Sequence, residues 1–311
     1  MRPVSMLLAA AGDSWLPKSD LFQLNFRMAS VMLLVAAGGI ALGLFATALF
    51  RYRRVRLNIK TGEVRRHTAG HMLAHWANAV GFLLALFTGA IMLKWLPVPM
   101  GKVPLYTLHY IGAALVLIGL VATVVNAVTK GTTSVHRLIP SRHHIRQAFL
   151  EVLGYAGLLG DRGILGFRAL QWPAAWRRDL AKAVGFSGFG RDGKYLAAEE
   201  VLSYPLWALV GLAIVSTGIL KAARFVYPLP LAAVKWLTIV HDWAAVGTVV
   251  MLFAHVGALV LVRTNWPLFA SMFTGKVRAA YVKENHGEWY EELVAEVEQG
   301  EPAERNKGAA T

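Results

Sequence analysis

The sequence predicts an all-α fold, an integral membrane helix bundle with five transmembrane helices. Three observations predict it. Of 311 residues, 56% are hydrophobic and only 16% are charged, against about 25% charged in a soluble domain. Five apolar segments, near 26–50, 70–93, 105–128, 201–222 and 236–262, are long enough to cross a hydrocarbon core of about 30 Å. Basic residues collect in alternate connections, as five crossings require.

Each connection bears on orientation. Residues 51–66 hold seven basic residues, Arg51, Arg53, Arg54, Arg56, Lys60, Arg65 and Arg66. The next loop, 94–104, holds only Lys94 and Lys102. The third connection, 129–200, holds eleven Lys and Arg. The fourth, 221–235, holds Lys221, Arg224 and Lys235, and the segment after the last span adds Arg263, Lys276, Arg278 and Lys283. Basic loops stay on the cytoplasmic side. The amino terminus is then expected outside and the carboxyl terminus in the cytoplasm of a bacterial inner membrane protein. The ends of the spans on the 129–200 side are called inner here, and the opposite ends outer.

Outside the spans, residues 1–25 read as an amphiphilic lead-in lying on the interface. The stretch Met6 to Ala11 is too short to span and makes a poor signal-peptide core. Short apolar patches at 148–159 and 164–172 predict interfacial helices over the inner end of the bundle. The tail from about 295, with Gly300, Pro302 and Gly308, reads as disordered. Three units follow: 1–66, with the lead-in, first span and basic loop; 67–292, the functional core; and 293–311, the tail.

The chain has no cysteine, which excludes disulfides, iron–sulfur clusters and c-type haem attachment within it. Its net charge of +14 is interleaved with long apolar runs, which favours a membrane surface over nucleic acid. Metal chemistry therefore falls to the ten histidines and the carboxylates.

Five histidines lie within or at the ends of spans: His71, His75, His109, His241 and His255. A polar ionisable group there is costly and suggests function. His241 and His255 share the last span, fourteen residues apart. That is nearly four turns and a rise of about 21 Å, so both point the same way at opposite depths. His75, a few residues into the second span, lies at inner depth with His255. His109, early in the third, lies at outer depth with His241. Two bis-histidine levels stacked across the bilayer are the arrangement of a transmembrane dihaem cytochrome b. Zinc would want three or four ligands at one level. Histidines that are only hydrogen-bonded core residues would not need to match in depth.

His67, His71 and His75 fall on one face of the second helix. His75 is the deepest, His71 the runner-up ligand and His67 an interfacial residue. Gly81, Gly89, Gly112, Gly119, Gly247 and Gly257 would leave room for a flat cofactor, or for ordinary helix packing. Trp76, Trp207, Trp236 and Trp243 sit near span ends, as in an aromatic belt. Arg66, Arg263 and Lys235 are candidate partners of haem propionates. His136, His143, His144 and His286 fall in loops, with surface or proton-relay roles.

Several motifs carry a family resemblance: His75-Trp76 followed by Phe82 and Thr88-Gly89, then Leu108-His109, then Gly193-Lys194-Tyr195. The His241 to His255 spacing, Gly275-Lys276-Val277, Lys283 to His286 and Trp289-Tyr290 complete it. Over about 67–292 the chain resembles the membrane cytochrome b (gamma) subunit of respiratory formate dehydrogenases and related molybdoenzyme complexes. The resemblance implies a four-helix core with two b-type haems, here plus one extra amino-terminal span. The matching ligand positions are His109 with His241 outside and His75 with His255 inside. It implies partners too: an iron–sulfur subunit and a molybdenum or tungsten catalytic subunit outside. Electrons would leave the inner haem to a quinone, menaquinone or ubiquinone, bound near Lys194, Tyr195 and Glu199.

The chain departs from the family after Tyr195. A polar Asn-Ala-Gly-Gln run is replaced by Leu196, Ala197, Ala198 and Glu199, so Glu199 or Glu200 would handle protons there. The same architecture serving a hydrogenase or another donor is the alternative. A haem-free membrane anchor or proton-relay protein is the alternative of a different class.

Overall fold

The structure, a computed structural model, describes residues 20–52, 57–129, 142–161, 163–189, 193–225 and 227–308. The expected lead-in over 1–19, the loop arginines Arg53, Arg54 and Arg56, and His136 lie outside the described residues.

Long helices dominate. In chain order they are α1 (Asp20–Tyr52), α2 (Ala69–Met92) and α3 (Lys102–Val128), then the short α4 (Arg142–Tyr155) and α5 (Ala174–Ala183). A π-helical turn, Glu199–Ser203, leads into α6 (Tyr204–Ala223), followed by α7 (Leu231–Val260), α8 (Trp266–Thr274), α9 (Ala279–Asn285) and α10 (Gly287–Gly308). Among the described residues, four helical stretches are long and apolar enough to cross a membrane: Ala69–Met92, Lys102–Val128, Glu199–Ala223 and Leu231–Val260. The expected first span lies in α1, whose described apolar stretch is Leu34–Ala48.

The helices are apolar on their outward faces. Leu73, Leu83, Leu209, Leu212, Val250 and Phe253 are exposed. Only 11–39% of each span is buried inside the chain. Such faces suit lipid and would aggregate in water.

Small residues set the helix contacts. A Cβ at Gly81 would stand 2.7 Å from the Gly112 carbonyl oxygen, and one at Gly119 would stand 2.6 Å from that of Ala74. Gly81, Gly112 and Gly119 therefore let α2 and α3 touch, and they do not leave room for a cofactor. The extra helix α1 uses the same device. Gly39 and Gly43, a G-x-x-x-G pair, bring its backbone against Ile118 and Ala122 of α3. Asn126 then donates to Thr47 at 3.1 Å, and the Tyr110 hydroxyl donates to Asn25 at 2.5 Å. Helix α1 thus braces the bundle.

The helical bundle carries one small sheet. At the inner end β1 (Leu57–Asn58), β2 (Glu63–Arg65) and β3 (Lys276–Arg278) form an antiparallel sheet in the order β1-β2-β3. Its hairpin turn is a local affair. Asn58 Oδ1 accepts from the Lys60 and Thr61 amides, and Gly62 adopts φ 65°. Val64 and Val277 face a small core with Leu57, Val282, Trp289 and Leu293. Trp289 and Leu293 place the start of α10 in this core.

Within the 129–200 connection α4 overlaps the first apolar patch, whereas 164–172 forms turns and isolated β-bridges and the helix α5 comes after it. Helix α4 packs against the π turn that opens α6.

Candidate functional site

Helices α2, α3 and α7 carry the four histidines of the two levels. At the inner level the rings of His75 and His255 have centroids 6.2 Å apart and planes at 52°. At the outer level His109 and His241 are 6.4 Å apart with planes at 66°. The depth pairing read from the sequence is therefore a pairing in space.

These separations can be tested against a metal. Metal–imidazole nitrogen bonds run about 2.0–2.1 Å, and a ring centroid lies about 1.1 Å behind its nitrogen. Two imidazoles on opposite sides of one iron would then have centroids about 6.2–6.4 Å apart. Both pairs meet that requirement. Among the described residues, no group of three or more His, Asp or Glu side chains gathers as a metal site of the zinc kind.

The outer histidines are oriented by hydroxyls. Thr88 Oγ1 lies 2.9 Å from His109 Nδ1, and Thr217 Oγ1 lies 3.0 Å from His241 Nδ1. Each threonine already donates to its own helix, Thr88 to the Leu84 carbonyl and Thr217 to that of Ala213. Each hydroxyl must then accept from Nδ1–H. The tautomer is fixed, and Nε2 keeps its lone pair for a metal. A glycine follows each threonine. A Cβ at Gly89 would stand 4.0 Å from the His109 ring, and one at Gly218 would stand 3.3 Å from the His241 ring. The Thr88-Gly89 and Thr217-Gly218 dipeptides thus do one job on two helices. The second pair was legible in the sequence as a repeat of the first, and reasoning from histidines alone passes over it.

Room for a flat group lies elsewhere than the glycines first suggest. Gly211 of α6 is buried, yet an added Cβ would meet nothing within 4 Å. Gly247 packs on Val210 and Gly257 on Leu261. Trp207 is more than a belt residue. It stands edge-on to His255 at 6.5 Å and packs on Phe82 at 5.7 Å. Trp76 donates to the Met272 carbonyl at 3.0 Å and so ties α2 to α8.

Basic and aromatic side chains crowd the inner end. Arg66 is buried between Tyr195, at 5.8 Å, and Trp289, at 5.6 Å. Lys194 is buried as well, with Nζ 5.5 Å from the Tyr195 ring. His67 is buried rather than interfacial and stacks on His71 at 4.8 Å. Burial pushes the His67 imidazole well below its ordinary value, and the charges of His71, Arg66, Lys194 and His75 push the same way. It is held neutral. Glu199 opens the π turn before α6, and its carboxylate accepts from the Leu196 amide at 3.3 Å. At the outer level Lys221 acts on both His109 and His241. It lies one turn beyond Thr217 and is a basic neighbour that loop counting did not single out. Arg263 instead stands over the Trp266 ring at 6.0 Å.

The family signatures are structural joints. Gly275 caps α8 at φ 73°, and its carbonyl accepts from the Arg66 and His67 amides at 2.8 and 3.1 Å. Lys276-Val277 then enters the sheet.

A model of the prokaryotic cytochrome b561 family matches residues 66–275. The chain belongs to that family. It is a membrane cytochrome b, and its match covers α2 through α8 with all four paired histidines. This cytochrome is also similar to the cytochrome b556(fdo) subunit of formate dehydrogenase from Escherichia coli K12, at 24% identity over 118 residues. The same subunit from Escherichia coli O6:H1 and from O157:H7 matches equally. The alignment covers 38% of this cytochrome and 54% of each relative, so the chain spans about half the length of the curated relatives it matches.

Proposed function

We propose that this cytochrome is the dihaem membrane subunit of a respiratory oxidoreductase of the formate dehydrogenase kind. The observation that carries the reading is the pair of imidazole couples, 6.2 and 6.4 Å between centroids, at two depths of one bundle. His75 and His255 hold the inner b-type haem. His109 and His241 hold the outer one, with Thr88 and Thr217 fixing their tautomers. The haems supply one-electron redox chemistry. The protein supplies ligand basicity, burial and a dry path between the two levels.

Charge complementarity extends the reading. Arg66 and Lys194 at the inner level, and Lys221 at the outer, offer cations to haem carboxylates. The outer level receives electrons from an iron–sulfur subunit, which a molybdenum or tungsten catalytic subunit feeds. The inner level delivers them to a quinone, menaquinone or ubiquinone, bound near Tyr195, Lys194 and Glu199. The loop charges support a multi-pass bacterial inner membrane protein. Its five spans include α1, with the amino terminus outside and the carboxyl terminus in the cytoplasm. Residues 67–292 form the redox core, and α1 of the 1–66 unit braces it.

The test is optical and analytical. Purified protein should show reduced b-type bands and two haems per chain by pyridine haemochrome assay. An absence of b-type absorbance removes the reading, and one haem per chain removes the two-level scheme. Subunits that co-purify identify the donor. An iron–sulfur protein with a molybdenum or tungsten enzyme supports formate dehydrogenase-like use, and a hydrogenase supports the other donor class.

A further inference from the structure

Quinone reduction needs protons as well as electrons. A quinone takes two electrons and two protons, and its two carbonyl oxygens become hydroxyls. The electrons come from reduced haem, one at a time. The protons must come from water on the inner side, and the apolar span faces cannot pass them.

One side-chain pair leads inward from that water. His144 Nδ1 lies 2.7 Å from Glu200 Oε2. The His144 side chain is 30% exposed and that of Glu200 only 8%. The pair therefore starts at the surface and ends inside. Its two halves come from different elements, α4 and the π turn Glu199–Ser203. Two further bonds fix the junction. Glu151 of α4 accepts from the Ala198 amide at 2.7 Å, and the Leu196 amide donates to Glu199 at 3.3 Å. A π turn re-aims side chains that a regular helix would place elsewhere, and such turns concentrate at functional sites. Here it presents Glu200 to His144.

We propose that His144 and Glu200 form the proton entry from the inner aqueous phase to the quinone site, a role that rests on the quinone reading above. His144 takes a proton from water on Nε2 and releases the Nδ1 proton to Glu200. Glu200 passes it inward, and His144, neutral once Nδ1 has lost its proton, regains the Nδ1–H tautomer by exchanging protons with water before the next transfer. Other charged and titratable groups surround the path. Glu151 reaches it from α4, and Glu199 shares its turn. Tyr204 follows one turn on, with Tyr195 and Arg66 grouped around that phenol.

The experiment uses the full chain, haem-loaded, in proteoliposomes. Reduced haem is mixed with a short-chain ubiquinone or, separately, with ferricyanide, which accepts electrons without protons. In His144→Ala and Glu200→Gln, reoxidation by the quinone should slow on the order of a hundredfold, as when a positioned proton donor is lost. The solvent isotope effect should rise, and the ferricyanide rate should stay at the wild-type value. Millimolar imidazole should restore His144→Ala alone. Wild-type rates and isotope effects in both variants would overturn the relay and leave the quinone site standing. Equal slowing with both oxidants would make the pair a structural clamp and overturn the relay too. Wild-type haem that ferricyanide oxidises and the quinone does not would overturn the quinone reading, and the relay with it.

Discussion

His286 Nδ1 donates to the carbonyl oxygen of Gly193 at 2.8 Å. The bond joins two motifs that stand 93 positions apart in the chain. His286 is fully buried and also packs edge-on to Trp289 at 6.2 Å. It locks α10 and its small core to the Gly193-Lys194-Tyr195 stretch, and so holds Lys194 and Tyr195 beneath the inner level. Replacing His286 by Phe should leave that carbonyl buried without its donor, at a cost of about 1–3 kcal/mol. The expected outcome is a lower thermal midpoint in detergent, with the outer-level spectrum unchanged until unfolding.

Ligand substitution should separate the two levels. His75→Ala and His255→Ala should each remove the inner haem, and His109→Ala and His241→Ala the outer. Each variant should carry one haem per chain by pyridine haemochrome assay. Two haems retained in His75→Ala, or in His109→Ala, would break the pairing.

The threonine hydroxyls tune the outer level. Thr88→Val and Thr217→Val keep volume and remove the acceptor for Nδ1–H. Loss of such an outer-shell bond typically weakens metal affinity about 10–100-fold. A less basic imidazole also raises the reduction potential. Redox titration should show the outer haem moving to higher potential in both variants and the inner haem staying in place.

Two glycines should fail in different ways. Gly119→Leu must push α3 off α2, since even a Cβ would stand 2.6 Å from the Ala74 carbonyl oxygen. It should abolish accumulation of folded protein in the membrane. At Gly211 an added Cβ would meet nothing within 4 Å. Gly211→Leu should fold but bind less haem, because its side chain occupies the space left for a flat group. Normal haem content in a folded Gly211→Leu would place the cofactor elsewhere.

His67 gives a pH dependence of stability. Its folded pKa lies well below the ordinary 6.5. Below pH 6.5 the unfolded chain therefore takes up a proton that the folded chain refuses. Stability from this group is fully present above the unfolded value and falls as the pH drops through and below it. Thermal midpoints measured from pH 8 to pH 5 should fall on the acid side. His67→Leu should flatten that slope.

Much of the site was legible in the chain. The His241 to His255 spacing requires two levels, because fourteen residues of helix return to one face about 21 Å further on. Entry direction then placed His75 and His109 by depth. The partnering of α1 with α3 was legible as well, in Gly39 and Gly43, though composition alone marks that helix only as an extra span. The sheet was harder to read. Its strands are two or three residues long, and β3 lies more than two hundred positions from β2. No local periodicity reports such a pairing.

The sequence by itself determined a membrane bundle and two depth-matched histidine couples. Hydrophobic length and the helical repeat are local properties, and the bilayer turns them into position. Only the tertiary structure decided how these parts serve each other: which glycines are filled by a neighbouring helix, which hydroxyls orient His109 and His241, and that His144 meets Glu200. Those outcomes depend on contacts between distant segments at ångström scale. Side-chain spacing along one chain does not contain them, because they arise only when helices, turns and sheet pack together.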